Sequence, residues 1–305
     1  MPTIQSVVAT INGSAITLTY NSESGKYEAV GVAPSASSFN LTNGYYPVSV
    51  TATYTTGLSA TVNDQTAGTV GQGCRFVVKE KVKPTISITY PTAGQFITTV
   101  TGQHIELSLR DNDSGVKLSA FSLTLGSTTL TADDFTVTAV SGGYDLSYTP
   151  SAAIADGSYN ITATVEDNDG NTSDTAGVSF TIDTAPPELS VTSPVEGLAT
   201  HESTVTVSGT TRDSAGGTIT VGIYLDNTLV TTVTPDASGN FSYALTLDSE
   251  GDKQVKVIAT DAAGASSTVE RNIYYSSATP NITAVELVPN PADAGATYII
   301  KVTVV

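Results

Sequence analysis

The side chains best suited to chemistry in this chain are carboxylates placed just past β-like runs. Asp111 and Asp113 follow HIELSLR, Glu166, Asp167 and Asp169 close SYNITATV, Asp183 opens DTAPP, Asp213 follows STVTVSGTTR and Asp261 follows KQVKVIAT. Convergent carboxylate oxygens suit a hard cation such as Ca²⁺, which takes roughly six to eight oxygen ligands in flexible geometry. Nucleophilic catalysis would need a base beside a nucleophile, and the only imidazoles are His104 and His201. They stand at corresponding places in two repeats, which suits a structural role better than a catalytic one. Ser114-Gly115-Val116-Lys117 meets Ser-x-x-Lys by letters only, because it lies in an Asp/Gly turn. No nucleophile elbow or phosphate-cradling glycine loop is present. No enzyme is expected.

Whether the carboxylates meet depends on the elements that carry them. One punctuation signal occurs three times: KVKPTISITYP at 81–91, DTAPPELSVTSP at 183–194 and SSATPNITAVELVP at 276–289. Its prolines Pro84, Pro187 and Pro280 recur about every 100 residues, the length of an immunoglobulin-like sandwich. A proline there stiffens the linker and belongs at the first residue of an edge strand, since it cannot donate to a ladder. Ahead of each linker stands a glycine turn and a strand, as in DGSYNITATVEDNDGN at 156–171 and EGDKQVKVIATDAAG at 250–264. Ile161, Ala163 and Val165 point one way and Asn160, Thr162 and Thr164 the other, the period of a half-buried strand. Strands every 8 to 12 residues or so and no helical period make the chain all-β. The fold expected is a set of tandem immunoglobulin-like β-sandwich domains in an elongated array. The boundaries expected are an atypical domain at 1–83, full domains at 84–185 and 186–278, and a two-strand beginning of a fourth unit, or a docking segment, at 279–305.

In such a sandwich the loops after the second and sixth strands lie beside the incoming linker. Asp183, Asp213 and Asp261 are thereby expected together as a Ca²⁺ site, and Asp111 and Asp167 as a second. A rival for the second is direct neutralisation by Lys79, Lys81 and Lys83. Asp and Gly also favour turns for conformational reasons alone. Asp156-Gly157-Ser158-Tyr159 stands where sandwiches place a tyrosine corner, and a Tyr simply packed at a strand start fits equally.

The third unit, LDNTLVTTVTPDASGNFSYALTLDSEGDKQVKVIATDAAG, resembles the bacterial Ig-like repeats of surface adhesins and phage tail or capsid appendages. That resemblance covers about residues 84 to 275 and implies spacing, display or adhesion. It also implies that linker and loop aspartates, here Asp183, Asp213 and Asp261, bind Ca²⁺ and stiffen the array. The first unit departs from the pattern: it lacks the Pro-flanked leading strand and carries NDQTAGTVGQG at 63–73, a candidate contact loop.

Composition narrows the partners. Net charge is −17, from 29 acidic and 12 basic residues, which disfavours nucleic acid and anionic membranes. The single cysteine, Cys74, permits no intrachain disulfide and is expected to fill a core position. No leader-like run or membrane-length apolar stretch is visible. The expectation is a virion-surface component, or else a spacer or adhesion segment of a secreted bacterial protein or extracellular enzyme. Its expected partners are other structural subunits, met through the C-terminal strands, and a host cell-surface protein or glycan. Tyr45-Tyr46 and Tyr274-Tyr275 each put one ring on each strand face, where a sugar could stack, although no Trp is present.

Overall fold

The computed structural model describes residues 3–305. By contacts the chain forms two compact units, the first made of the residues up to Ile154 and of Ser158–Thr181, the second of Ala155–Gly157 and Ile182–Val305.

The first unit opens with β1 (Ile4–Ile11), β2 (Ser14–Asn21), β3 (Lys26–Glu28), β4 (Tyr46–Tyr54), β5 (Ser59–Val62) and β6 (Arg75–Phe76). Asn12 and Gly13, both at positive φ, turn β1 directly into β2, as a two-residue hairpin requires. These strands make one sheet in the order β3-β2-β1-β4-β5, with β6 on β4. Among the described residues no second sheet faces it, where the repeat pattern suggests two layers. The cause lies in the side chains: Val7, Tyr46 and Cys74 are the only buried hydrophobics of residues 4–76, and the other apolar side chains of the segment stay half-buried or exposed, interspersed with Ser and Thr. Neither face offers the apolar area that holds two sheets together. The 63–73 stretch, expected without helix, contains α1 (Thr69–Gly73), the one α-helix among the described residues.

The same unit continues with β7 (Thr85–Tyr90), β8 (Phe96–Ile97), β9 (Ile105–Arg110), β10 (Val116–Leu125), β11 (Thr128–Thr131), β12 (Thr136–Val140), β13 (Gly143–Tyr148), β14 (Gly157–Asp167) and β15 (Ala176–Ile182). They form two sheets, β12-β13-β9-β7 and β11-β10-β14-β15-β8. Alternate residues Ile105, Leu107 and Leu109 of β9 and Ile161, Ala163 and Val165 of β14 are buried. Each fully buried Leu, Ile or Val contributes about 1.5–3 kcal/mol of transfer free energy.

The second unit holds β16 (Glu188–Ser193), β17 (Leu198–Thr200), β18 (Thr204–Arg212), β19 (Thr220–Leu225), β20 (Thr228–Val233), β21 (Asn240–Thr246), β22 (Gly251–Thr260) and β23 (Ser266–Tyr275). Its sheets are β16-β18-β21 and β17-β23-β22-β19-β20, and β17 runs parallel to β23. Val207, Val221, Ile223, Leu245 and Val255 are fully enclosed in its core. The strands β7 and β16, next to Pro84 and Pro187, are edge strands, where a missing amide costs no ladder bond. Last come β24 (Ile282–Val288) and β25 (Ile299–Val304), a separate two-stranded hairpin. No helix among the described residues is long and apolar enough to cross a membrane.

Candidate metal centre

In the second unit three chain segments bring carboxylates to one point. Asp183 is the first residue after β15, Asp213 the first after β18, and Asp261 the first after β22. A ligand oxygen from each lies within 4.8 Å of the others. Asp183 is 2% exposed and Asp261 7%. Both carboxylate oxygens of Asp183, both of Asp213 and Oδ2 of Asp261 are buried without a hydrogen-bond partner. Only Oδ1 of Asp261 is satisfied, by the Ala265 amide at 2.9 Å.

Five orphaned anionic oxygens in one buried volume are costly, because burial removes water while like charges repel. Burial, then the charges of Asp213, Asp261 and Asp156, pushes the Asp183 carboxyl up to about 6. Asp213 is raised too, by burial first and Asp261 next. The Ser214 and Ala215 amides lean toward it and offset part of that rise, but neither reaches hydrogen-bonding geometry. Asp156 sits beside the group and behaves differently. Its partial burial pushes upward, yet bonds from the Thr184 hydroxyl and amide and the Ser214 hydroxyl lower its pKa overall. Those bonds hold the residues next to Asp183 and Asp213 in place. The donor set is all oxygen, with no His or Cys, which fits Ca²⁺ rather than Zn²⁺.

In the first unit the structure brings Asp111 and Asp167 together and adds a residue that sequence reasoning missed, Glu80. All three are buried. A signal for Glu80 was present in the sequence: it stands four residues before Pro84, as Asp183 stands four before Pro187. Counting from the linker proline would have found it. Glu80 Oε1 accepts the Ser114 amide at 2.8 Å, while Oε2 is buried without a partner. Asp111 Oδ1 accepts the Asp113 and Gly115 amides at 3.0 and 2.7 Å. Asp167 accepts the Asn171 amide at 2.8 Å and its side-chain nitrogen at 2.6 Å.

The other acidic residues of these loops face elsewhere. Asp113 accepts the Ser37 amide, Glu166 pairs with Lys117, and Asp169 accepts the Glu80 amide. Lys79 donates to the Asp169 carbonyl and Lys83 pairs with Asp174, so neither neutralises the Glu80 group. His104 stacks on Tyr90 with ring centres 4.1 Å apart, and His201 lies exposed beside Glu202. Tyr46 and Tyr275 are buried, Tyr274 is half exposed, and Tyr45 donates to Asp64. The Tyr159 ring stacks on Phe180.

The architecture is that of tandem β-sandwiches with carboxylates gathered at their linker ends. Residues 111–184 match the family described as bacterial Ig-like domain, and residues 187–276 match glucodextranase, domain B. The chain carries bacterial Ig-like repeats over these residues. Bacillopeptidase F of Bacillus subtilis (strain 168) is 33% identical over 112 residues, 37% of this chain and 7% of that protein. The chain thus spans a small part of the curated relative it matches. Among solved structures, a tetra-tandem repeat in the extending region of a large adhesion protein is 18% identical with a TM-score of 0.42, covering 100% of this chain and 81% of that one. The fibronectin(III)-like modules of Clostridium thermocellum CbhA are 19% identical with a TM-score of 0.31, covering 63% of this chain and 94% of that one.

Proposed function

We propose that this chain is a non-catalytic spacer and attachment module in an extracellular array, and that Ca²⁺ held by Asp183, Asp213 and Asp261 locks the sandwich of its second unit. The orphaned carboxylate oxygens carry the reading: a site with five buried, unpartnered anionic oxygens is built for a cation that neutralises them. The match to part of bacillopeptidase F of Bacillus subtilis favours a bacterial protein as the setting. A virion appendage is the other setting in which such repeats act as spacers. Immunolabelling of intact cells and of purified particles separates the two. In either setting, attachment to a surface protein or glycan and to neighbouring subunits belongs to the proposal.

A calcium titration read by thermal melting tests the site. Millimolar Ca²⁺ is expected to raise the melting temperature of the second unit's sandwich by roughly 5 °C or more, which corresponds to about 1–2 kcal/mol of ligand linkage. Asp183→Ala is expected to abolish that shift. A wild-type chain whose melting ignores Ca²⁺ would remove the metal reading.

A further inference from the structure

The two carboxylate groups occupy equivalent places in successive repeats, but the protein treats them differently. In the first unit every carboxylate of the group already receives protein donors: Ser114 to Glu80, Asp113 and Gly115 to Asp111, and Asn171 twice to Asp167. Around them a set of direct bonds ties the 37–83 segment to the loops of the same unit's sandwich. Lys79 Nζ reaches the Asp169 carbonyl at 2.9 Å, the Glu80 amide reaches Asp169 Oδ2 at 2.9 Å, and Asn171 Nδ2 reaches the Glu80 carbonyl at 3.2 Å. The Ser37 amide is 3.0 Å from both Asp113 carboxylate oxygens, and Lys83 pairs with Asp174 at 2.5 Å. One buried carboxylate oxygen, Glu80 Oε2, is left over.

In the second unit the equivalent group has five such oxygens and a single donor, the Ala265 amide. Asp183, nearly fully buried, has no partner at either oxygen. Buried hydrogen bonds to a carboxylate spread its charge and fix its position without a metal, whereas unpartnered carboxylates must repel one another or take a cation.

We propose that cation dependence is unequal along the chain: the loops around Asp183, Asp213 and Asp261 close only on Ca²⁺, while the Glu80, Asp111 and Asp167 group is a latch closed by the protein's own donors. This rests on the metal reading above and adds to it a regulatory consequence. Calcium concentration would set the order of these loops in the second unit's sandwich and leave those of the first unit's sandwich unchanged.

Amide hydrogen exchange on the full chain, in chelator and in millimolar Ca²⁺, tests it directly. Calcium is expected to slow exchange about tenfold or more in peptides covering 211–217 and 261–266, and by less than about twofold in those covering 111–116 and 167–173. Asp213→Asn is expected to cancel the calcium effect, and in chelator to slow exchange at 261–266 relative to wild type because repulsion falls. Equal protection of both regions, or protection of the first unit alone, overturns the inequality and leaves calcium binding standing. Protection of neither overturns both.

Discussion

At the scale of single residues, burial sets what each carboxylate does. Asp183 and Asp156 sit in one neighbourhood, but Asp183 lacks donors and Asp156 has Thr184 and Ser214, so their pKa values move in opposite directions. The sign of the resulting pH dependence follows from linkage. With its folded pKa raised to about 6 by burial and by Asp213, Asp261 and Asp156, Asp183 binds its proton more tightly in the folded than in the unfolded chain. The stabilisation from that proton is fully present below the unfolded value and is lost as pH rises through about 6. In chelator the second unit's sandwich is therefore expected to melt higher at pH 5 than at pH 7.5. In saturating Ca²⁺ the trend should reverse, since the cation needs deprotonated ligands. Calorimetry across pH in the two buffers checks both signs; parallel curves would contradict a buried, donor-free Asp183. Asp183, Asp213 and Asp261 were legible in the sequence because each directly follows a strand of clear period. Whether hydrogen bonds or a cation would satisfy each group was not, because that depends on backbone amides whose direction no residue letter encodes.

Among the elements, strands with strict alternation were readable and close approaches were not. β14 and β22 announce themselves by apolar residues at every second position, and both lie at the centre of a five-stranded sheet. α1 gave no periodic signal because five residues are too few to show one, and its fold depends on Gly71, where a Cβ would lie 1.8 Å from the Thr66 carbonyl oxygen. Gly209 in β18 is similar. A Cβ there would lie 2.0 Å from the Ser190 carbonyl oxygen and 2.8 Å from the Phe241 ring, beside the register shift between Val191 and Ser193. Gly209→Ala must push β16 or Phe241 aside and is expected to cost about 1–3 kcal/mol, the usual range for overpacking. Urea unfolding measures it. A midpoint unchanged from wild type would mean that β16 yields freely, and that its pairing with β18 adds little to the second unit's sandwich.

For the whole molecule, the last hairpin carries the open question of partners. Its register pairs Val285 with Val302, Leu287 with Ile300 and Ile282 with Val304, so six apolar side chains share one face. The Ala284–Thr303, Glu286–Lys301 and Val288–Ile299 pairs share the other, with the ion pair at its middle. All six apolar residues are exposed, from 42% at Leu287 to 61% at Ile282. Both sandwiches cover the corresponding inner faces with a second sheet, and a bare two-stranded hairpin is only marginally stable in water. A net charge of −17 opposes indiscriminate clustering, so any contact made through this face is expected to strengthen as salt screens the repulsion. The double variant Val285→Lys, Val302→Lys places charge at the centre of that face without touching either sandwich core. If the wild-type chain associates through this face in sedimentation velocity, the variant is expected to lose that association while the melting temperatures of both sandwiches stay unchanged; a wild-type chain that stays monomeric at all concentrations removes self-association through the hairpin. Association that persists in the variant would locate the contact elsewhere, with the 63–73 stretch of the first unit as the next surface to alter.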